Sequence, residues 1–333
     1  LRARSVSIQT LLITGVTGFV GSHVAEAVAG RVQTVRALVR PTSRREFVQQ
    51  HGLEPVAGSL EDGESVRRAV EGADVVVHMA AATRAGSEAE FERVNAQGTR
   101  VIVEAVRQSR NPPRRLVYLS SLAAAGPARS GQPVTPDDTP HPLTAYGRTK
   151  LAGERICSEL SGQCEVVILR PPAVYGPRDR DMFEFFRMAG WGALPVPAGP
   201  ARRLQLVHAA DLARAVVMAA TVPGARGVYH IADPRAYEWR EVCAMVAQAV
   251  GRRARLIRVP AFLISLAGAV SEGAGRLLGR PAIFSRDKAR ELLAPGWLCE
   301  TEGARRELGF ETAIPLGRGL LETAHWYRAH GWL

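Results

Sequence analysis

The chain has 333 residues, 46% of them hydrophobic and 23% charged, a globular composition that argues against a disordered, collagen-like or coiled-coil protein. Its length suits one large α/β domain with a smaller lobe. The net charge is +11, but Lys150 and Lys288 are the only lysines, and the arginines are spread along the whole chain. We interpret this excess as a compositional bias on a solvated surface and expect no nucleic-acid partner.

The cysteines and the hydropathy pattern set further limits. Cys157, Cys164, Cys243 and Cys299 lack the spacing of a metal site and are too few for a disulfide framework, so we expect no bound metal and a cytoplasmic location. No run of about twenty apolar residues is present, which predicts no stable membrane insertion. The most apolar stretch, 261–270, is expected to form a core helix or the wall of an apolar pocket.

Short apolar runs alternate with helical patterns from residue 9 onward, and residues 1–8 are expected to form a flexible leader. Pro55 indicates that the third predicted strand lies at a sheet edge or begins there. The alternation predicts a parallel sheet with right-handed crossovers, and its repetition predicts a doubly wound sheet. Strands are predicted at 10–14, 35–39, 54–58, 75–79, 115–119, 165–169 and 227–232, and helices at 22–29, before 50, and at 64–71, 90–110 and 145–158. Residues 207–220 are predicted to form the end of a strand and then a helix.

The pattern changes after Arg170, where prolines interrupt the alternation and the remainder reads as mostly helical. We therefore predict an α/β fold in which a Rossmann-type, doubly wound parallel sheet is joined to a smaller, mainly helical lobe. The predicted sheet domain comprises residues 9–172 plus 205–233, and the lobe comprises residues 173–204 plus 234–333.

A glycine-rich bend lies between the first predicted strand and the first predicted helix. Gly15, Gly18 and Gly21 form the pattern G-x-x-G-x-x-G. Glycine lets the backbone approach a pyrophosphate, and the following helix N-terminus offers free N–H groups and the positive end of a dipole. The sequence therefore predicts a dinucleotide site here, with a tight turn that binds no ligand as the alternative.

The residue at the end of the second strand of such a fold discriminates between the two nicotinamide cofactors. Arg40 occupies that place, Arg44 and Arg45 follow it, and no acidic residue precedes Glu46. A guanidinium binds a 2′-phosphate with forked, charge-assisted hydrogen bonds, whereas a carboxylate repels it. We predict NADP(H), with NAD(H) remaining open because Arg40 also fits the diffuse arginine excess.

Tyr146 and Lys150 lie one helical turn apart in a predicted helix and so share a face. A nearby ammonium lowers the pKa of a phenol, which makes it a better proton relay for hydride transfer between a nicotinamide and an alcohol or carbonyl. Ser120 and Ser121 follow the fifth strand at the sheet edge where ligands bind in open α/β folds. Either serine can hold a substrate oxygen or cap a helix.

Seven segments, in order and correctly spaced, make the first two-thirds of the chain resemble the extended short-chain dehydrogenase/reductase superfamily, in its NAD-dependent epimerase/dehydratase group. Residues 35–40 and 120–124 resemble the corresponding segments of its dihydroflavonol-reductase-like and 3β-hydroxysteroid-dehydrogenase-like members, which act on bulky apolar ketones and alcohols. The segments are Thr14 to Gly21, His78-Met79-Ala80-Ala81, Val94 to Thr99, Ser120-Ser121, Tyr146 with Lys150, Arg170 to Pro177, and Val207 to Asp211.

The resemblance implies a role for each residue that matches a family motif. Tyr146 would be the acid/base, Lys150 would bond the nicotinamide ribose and tune Tyr146, Ser121 would orient the substrate oxygen, and Asn95 would support the site from its helix. Together with Tyr146 and Lys150, the residues implied to contact the cofactor are Gly15, Thr17, Gly18, Phe19, Val20, Gly21, Arg40, Ser59, Leu60, Asp62, Ala80, Ala81, Ala82, Pro171 and Val174.

The chain also departs from the family pattern. Ser59 stands where many members have an aspartate near the adenine. Leu122 and Ala123 follow the catalytic hydroxyl where dehydratases carry an Asp-Glu pair, so no general acid is available for eliminating water. Leu204 matches the position where sugar-nucleotide members carry an arginine. This weakens the interpretation that the substrate is a nucleotide sugar but does not exclude it.

The lobe segment from 182 to 191 is rich in methionine and aromatic residues. We expect it either to line an apolar substrate site or to form the core of the lobe. The predicted substrate contacts are Thr83, Ser121, Pro172, Met182, Phe186 and Trp191.

The favoured hypothesis is an NADP(H)-dependent oxidoreductase that interconverts an alcohol and a carbonyl on a moderately large apolar small molecule. The alternatives are a nucleotide-sugar epimerase that retains its cofactor and a non-catalytic dinucleotide-binding protein. The intact Ser121, Tyr146 and Lys150 set argues against the last of these. By analogy with the superfamily, we also expect a homodimer.

Overall fold

The computed structural model describes residues 8–43, 45–278, 280, 282 and 284–333. Of the expected leader, residues 1–7 lie outside the described residues, whereas Ile8 is buried in the core beneath the sheet. Arg44, which the sequence places near the predicted 2′-phosphate, also lies outside them.

The strands alternate with helices through the first half of the chain. In chain order the strands are β1 Thr10–Thr14, β2 Thr34–Val39, β3 Glu54–Ala57, β4 Val75–His78, β5 Arg115–Leu119, β6 Glu165–Arg170, β7 Ala173–Tyr175, β8 Ala193–Pro197, β9 Arg203–Leu204, β10 Leu206–His208, β11 Gly227–His230, β12 Tyr237–Glu238, β13 Arg255–Val259 and β14 Gly296–Trp297.

Most of the helices lie between these strands, and two short π-helical turns accompany them. The helices are α1 Phe19–Val28, α2 Arg45–Gln50, α3 Gly63–Val70, α4 Glu88–Phe91, α5 Gly98–Gln108, α6 Leu122–Ala125, α7 Ala145–Ser158, α8 Phe183–Gly190, α9 Ala209–Thr221, α10 Trp239–Val250, α11 Ala261–Leu277, α12 Arg286–Leu293 and α13 Leu316–Ala329, with π-helical turns at Glu92–Gln97 and Ala304–Leu308.

The central sheet has seven parallel strands in the order β3-β2-β1-β4-β5-β6-β11. One apolar core lies between the sheet and α1 and α9, and a second lies between its other face and α3, α5 and α7. This confirms the predicted Rossmann-type, doubly wound sheet. Strand β3, which contains Pro55, forms one edge, where a residue without a backbone N–H costs little.

The strand order reverses between β1 and β4, which pair in parallel so that Thr14 lies beside His78. Open α/β sheets bind ligands in the crevice outside the carboxyl ends of the strands at such a switch point. The glycine-rich bend after β1 and the loop after β4 therefore lie at the same edge of the sheet.

The helix predicted at 90–110 contains an irregularity. It begins as α4, passes through the π-helical turn Glu92–Gln97 and continues as α5 to Gln108. A π-helical turn inserts an extra residue into the helical repeat and is frequent at functional sites. Here it carries Asn95, whose side chain is buried.

The lobe has its own apolar core, built from α8, α10 and α13 with short strand pairs around them. Ala304, Leu308 and Phe310, which follow β14 in the chain, pack into the core between the sheet and helices α1 and α9. The C-terminal segment therefore crosses back under the sheet before it enters α13. Among the described residues, we find no helix with the length and apolarity needed to cross a bilayer.

Arg115 is a buried polar link within the sheet domain. Its side chain is 1% exposed, and its Nη1 donates to the carbonyls of Ala219, Ala220 and Val222 at 2.8–3.1 Å. The carbonyls of Ala219 and Ala220 lie in the last turn of α9, where helix carbonyls lack partners within the helix, and Val222 is the residue that caps it. The guanidinium also bonds Glu165 on the neighbouring strand.

We expect Arg115→Met to lower the free energy of unfolding by about 3 kcal/mol, because it leaves buried carbonyls unpaired. Urea unfolding followed by circular dichroism measures the change. Arg155→Met, on the exposed side of α7, is the matched control and is expected to be nearly neutral. Equal effects of the two variants would contradict the role assigned to Arg115.

Candidate active site

The glycine-rich bend leaves no room for side chains. Gly15 has a φ of +78°, and a Cβ there would lie 2.6 Å from the backbone nitrogen of Ala80. A Cβ on Gly21 would lie 2.1 Å from the carbonyl oxygen of Gly15. Gly18 precedes α1, has no side chain to cap the helix and is exposed. The bend and the open helix N-terminus therefore fit a pyrophosphate.

Asn95 connects the loop after β4 to the helix that carries Tyr146. Its Oδ1 accepts a hydrogen bond from the backbone nitrogen of Ala82 at 2.8 Å. Its Nδ2 donates to the carbonyl of Ala82 and to the hydroxyl of Thr149, each at 3.1 Å. Because Thr149 lies on α7, one buried amide fixes the distance between two sides of the site.

His78 is a buried residue of the site edge for which the sequence analysis predicts no role of its own. Its Nδ1 shares a hydrogen bond with Thr14 Oγ1 at 2.7 Å, and its Nε2 shares one with Thr99 Oγ1 at 3.1 Å. Burial, with a smaller contribution from Lys150, lowers the pKa of His78 to about 3. The imidazole is therefore neutral and ties β1, β4 and α5 together. A histidine that ends an otherwise apolar strand is the sequence signal for it.

The two serines after β5 have different surroundings. Ser120 is buried and donates to Glu154 at 2.5 Å, and Glu154 forms a buried ion pair with Arg170. Ser121 caps the short helix α6 through the backbone nitrogen of Ala123. Ser121 also lies near Tyr146, where its hydroxyl lowers the pKa of the phenol. Ser121 therefore both caps a helix and lies beside the phenol of Tyr146.

Tyr146 lies in the first turn of α7, which begins at the N-cap Thr144. Its side chain is only partly exposed, and burial raises the pKa of Tyr146 above its usual value. The nearby Lys288 and the Ser121 hydroxyl both lower that pKa. The phenol and the Ser121 hydroxyl therefore lie close together at this edge of the sheet.

Lys150 points along the same helix toward the sheet. It is 2% exposed, its Nζ donates to the carbonyl of Leu119 at 2.7 Å, and it lies 4.2 Å from the centre of the Tyr118 ring. Burial lowers the pKa of Lys150 to about 8. The ammonium thus sits at the carboxyl end of β5, at the same sheet edge as the glycine-rich bend.

Lys288, the second lysine, comes from the lobe and belongs to no predicted set. Its Nζ bonds Glu291 at 2.9 Å, and Glu291 in turn accepts from the hydroxyl of Thr144. The neighbouring Asp287 accepts from the backbone nitrogen of Ala145 at 2.8 Å. Helix α12 therefore docks on the N-terminus of α7 and places Lys288 near Tyr146. The scarcity of lysine in the sequence is the only signal that singles it out.

The predicted adenine-side residues lie at the ends of β2 and β3. Arg40 follows β2 and is exposed, whereas the Asp62 side chain caps α3 by accepting from Glu64 and Ser65. The Ser59 hydroxyl accepts from the backbone nitrogen of Glu61. Leu60 packs against Gly98 of α5. The side chains of Asp62 and Ser59 thus bond backbone nitrogens of their own turn. The side chain of Arg40 lies at the surface.

The predicted substrate residues divide into two groups. Phe186 has no exposed surface and Met182 is 8% exposed, and both lie in the lobe core. They present little surface to a ligand in this structure. Trp191 is 71% exposed at the end of α8, under the guanidinium of Arg187. Thr83 is exposed in the loop after β4 and Pro172 is half-buried in the loop after β6, at the same sheet edge as Ser121, Tyr146 and Lys150.

Comparison with known proteins gives a family and a set of relatives. The family model described as NAD dependent epimerase/dehydratase family matches residues 11–232, two-thirds of the chain. Ceramide reductase from Caulobacter vibrioides is 32% identical over 323 residues, covering 96% of this chain and 95% of its own. A 4-hydroxy-2-methyl-3-oxo-4-farnesyl-3,4-dihydroquinoline-1-oxide ketoreductase from Stigmatella aurantiaca is 28% identical, covering 92% of this chain and 93% of its own.

Among solved structures, the UDP-glucose 4-epimerase of Thermus thermophilus, in complex with NAD, superposes with a TM-score of 0.75 at 23% identity. The superposition covers 96% of this chain and 99% of that one, and it supports the fold. The family and its reductase relatives indicate an NAD(P)-dependent oxidoreductase. The chain belongs to the NAD-dependent epimerase/dehydratase family.

Proposed function

We propose that the chain is an NADP(H)-dependent oxidoreductase that interconverts an alcohol and a carbonyl on a moderately large apolar molecule. The observation that carries this proposal is the juxtaposition of Tyr146 with the Ser121 hydroxyl, at the sheet edge where the glycine-rich bend and Lys150 also lie. The similarity to proteins named as reductases of a ceramide and of a farnesylated quinoline supports an apolar substrate.

In the proposed mechanism, the bound nicotinamide supplies or accepts the hydride. Tyr146 donates the proton to the carbonyl oxygen in reduction and removes it from the alcohol in oxidation. Ser121 holds that oxygen beside the phenol, and the charge of Lys288 favours the phenolate. Lys150 would bond the nicotinamide ribose. Asn95 is proposed as a positioning residue, because it touches the loop after β4 and Thr149.

A nucleotide-sugar epimerase that retains its cofactor is the second candidate, because the superposed enzyme from Thermus thermophilus is one. Two features weaken it here. Leu204 stands at the position where a diphosphate-binding arginine is expected, and it is 8% exposed. The side chain of the neighbouring Arg202 bonds the carbonyls of Ala198, Pro200 and Leu293 instead. The expected homodimer and the cytoplasmic location remain predictions.

An absorbance assay of the nicotinamide distinguishes the reductase from the epimerase. Ketones, alcohols and nucleotide sugars are each tested with both cofactors. A reductase changes the absorbance in proportion to the substrate converted, whereas an epimerase converts a nucleotide sugar with no net change. Conversion of nucleotide sugars alone would contradict the proposal.

Replacing Tyr146 with Phe removes the proposed proton donor while leaving the ring in place. We expect turnover to fall roughly 10²–10⁴-fold, the usual contribution of a general acid or base, with cofactor affinity almost unchanged. Steady-state kinetics and cofactor fluorescence measure the two effects. Tyr237→Phe, which removes a buried hydroxyl bonded to Asp233 in the lobe, is the control. Unchanged turnover in Tyr146→Phe would remove Tyr146 from the mechanism.

Arg40→Asp tests the cofactor preference. Exchanging a guanidinium for a carboxylate should weaken NADP(H) binding by about tenfold or more and relatively favour NAD(H). Titration of both reduced cofactors by fluorescence gives the ratio of dissociation constants. Arg31→Asp, an exposed arginine before β2, controls for the change in net charge. The assignment fails if NAD(H) binds the unchanged protein as tightly as NADP(H) and Arg40→Asp leaves the ratio unmoved.

Lys288→Met tests the second ammonium near Tyr146. Because Lys288 lowers the pKa of Tyr146, its removal should raise that pKa. The rising limb of alcohol oxidation, which needs the phenolate, should then move to higher pH. The falling limb of carbonyl reduction, which needs the phenol, should move the same way. Lys288→Arg keeps the charge and should leave both limbs in place, and identical profiles for all three proteins would refute the role.

A further inference from the structure

The outer face of the lobe carries an unusual number of exposed apolar side chains on α11. Phe262, Leu266 and Val270, each four residues apart, are 68%, 55% and 64% exposed. Residues at this spacing form one line along a helix. Leu263 beside them is 42% exposed, and Ile257 on the preceding strand β13 is 52% exposed. We call these five residues the apolar ridge. Isolated exposed apolar residues are ordinary, but a cluster of this kind marks an interaction surface.

The opposite face of α11 is already used for packing. Ile264 is 6% exposed, and a Cβ on Gly268 would lie 2.9 Å from the carbonyl of Ser285 at the start of α12. The helix is thus apolar on both sides, with only one side covered by described residues. A helix that is hydrophobic all round is normally buried. No described residue covers the apolar ridge, so this face is available to a partner.

The charge around the apolar ridge indicates the kind of partner. Residues 251–280 contain six arginines and one acidic residue, Glu272. The four arginines nearest the ridge in sequence, Arg252, Arg253, Arg255 and Arg258, are all exposed. A second copy docked on this face would bring two such arginine sets together, which like-charge repulsion opposes. An anionic surface is attracted by the same arginines.

We propose that the apolar ridge and its flanking arginines dock the protein on the surface of an anionic lipid bilayer. The ridge would enter the boundary between headgroups and acyl chains, with the helix axis in the membrane plane and the arginines at the headgroup phosphates. Helix α11 spans 17 residues, or about 25 Å at 1.5 Å per residue, and its inner face stays packed on α12. This is peripheral docking and leaves the predicted absence of stable membrane insertion unaltered.

The apolar ridge is connected to the candidate active site through one helix. Helix α12 packs on the inner face of α11 and meets the N-terminus of α7, where Asp287 accepts from Ala145. Tyr146 follows directly. Docking would therefore hold the candidate active site close to the bilayer surface, where an apolar substrate dissolves. This consequence for substrate access rests on the proposed function, whereas the docking itself does not.

Sedimentation with lipid vesicles tests the proposal on the full chain. Vesicles of phosphatidylglycerol and phosphatidylcholine are compared with vesicles of phosphatidylcholine alone, at low and at high salt. We expect binding to the anionic vesicles, at least tenfold weaker binding to the neutral ones, and loss of the difference at high salt. No binding to anionic vesicles at low salt would overturn the proposal.

Two variants locate the surface. Phe262→Ser with Leu266→Ser should weaken vesicle binding at least tenfold, and Arg255→Gln with Arg258→Gln should reduce the preference for anionic lipid. Leu321→Ser, which removes a Leu that is 55% exposed on α13, is the matched control and should bind as the unchanged protein does. Circular dichroism and cofactor binding verify that each variant is folded. Equal binding by the ridge variant and the unchanged protein would refute the assigned surface.

Two further measurements distinguish bilayer docking from dimerisation through the ridge and from the proposed enzymatic function. Light scattering measures whether the protein is a dimer. A dimer that dissociates when Phe262→Ser and Leu266→Ser are combined would show that a second copy covers the ridge, and would overturn bilayer docking. With a water-soluble carbonyl substrate, the ridge variant should turn over normally, whereas Tyr146→Phe should lose turnover and still bind vesicles. Failure of the docking and failure of the proposed function are therefore distinguishable.

Discussion

The side-chain amide of Asn95 is the contact on which the arrangement of the site depends. It bonds the backbone of Ala82 after β4 and the hydroxyl of Thr149 on α7. The first partner belongs to the loop beside the glycine-rich bend, and the second lies one residue before Lys150. A buried amide satisfied on both its oxygen and its nitrogen holds its neighbours more rigidly than apolar packing alone. The π-helical turn is what brings this amide to face both partners.

Much of the fold could be predicted because the signals are local. Parallel strands covered on both faces give unbroken apolar runs such as that of β4, and all four of its residues are buried. The glycines of the bend also follow from a local rule, since the backbone approaches there exclude a Cβ. Positions within one helical turn, such as Tyr146 and Lys150, follow from helix geometry. These features need no knowledge of distant parts of the chain.

The features that escaped prediction depend on contacts between distant segments. Lys288 reaches the neighbourhood of Tyr146 only because α12 docks on α7, more than a hundred residues away in sequence. Phe186 and Met182 fit both an apolar pocket and the lobe core by composition, and only the structure shows that they fill the core. Composition cannot distinguish a core from a pocket wall, because both are apolar.

The four cysteines have a practical consequence. Cys157, Cys164, Cys243 and Cys299 are all unpaired and buried, and burial raises the pKa of each thiol. Only the thiolate reacts with electrophiles, so the folded chain offers maleimides and iodoacetamide almost no target. A single cysteine introduced on the surface would therefore carry a fluorophore or spin probe without background, and removal of the native thiols would be unnecessary.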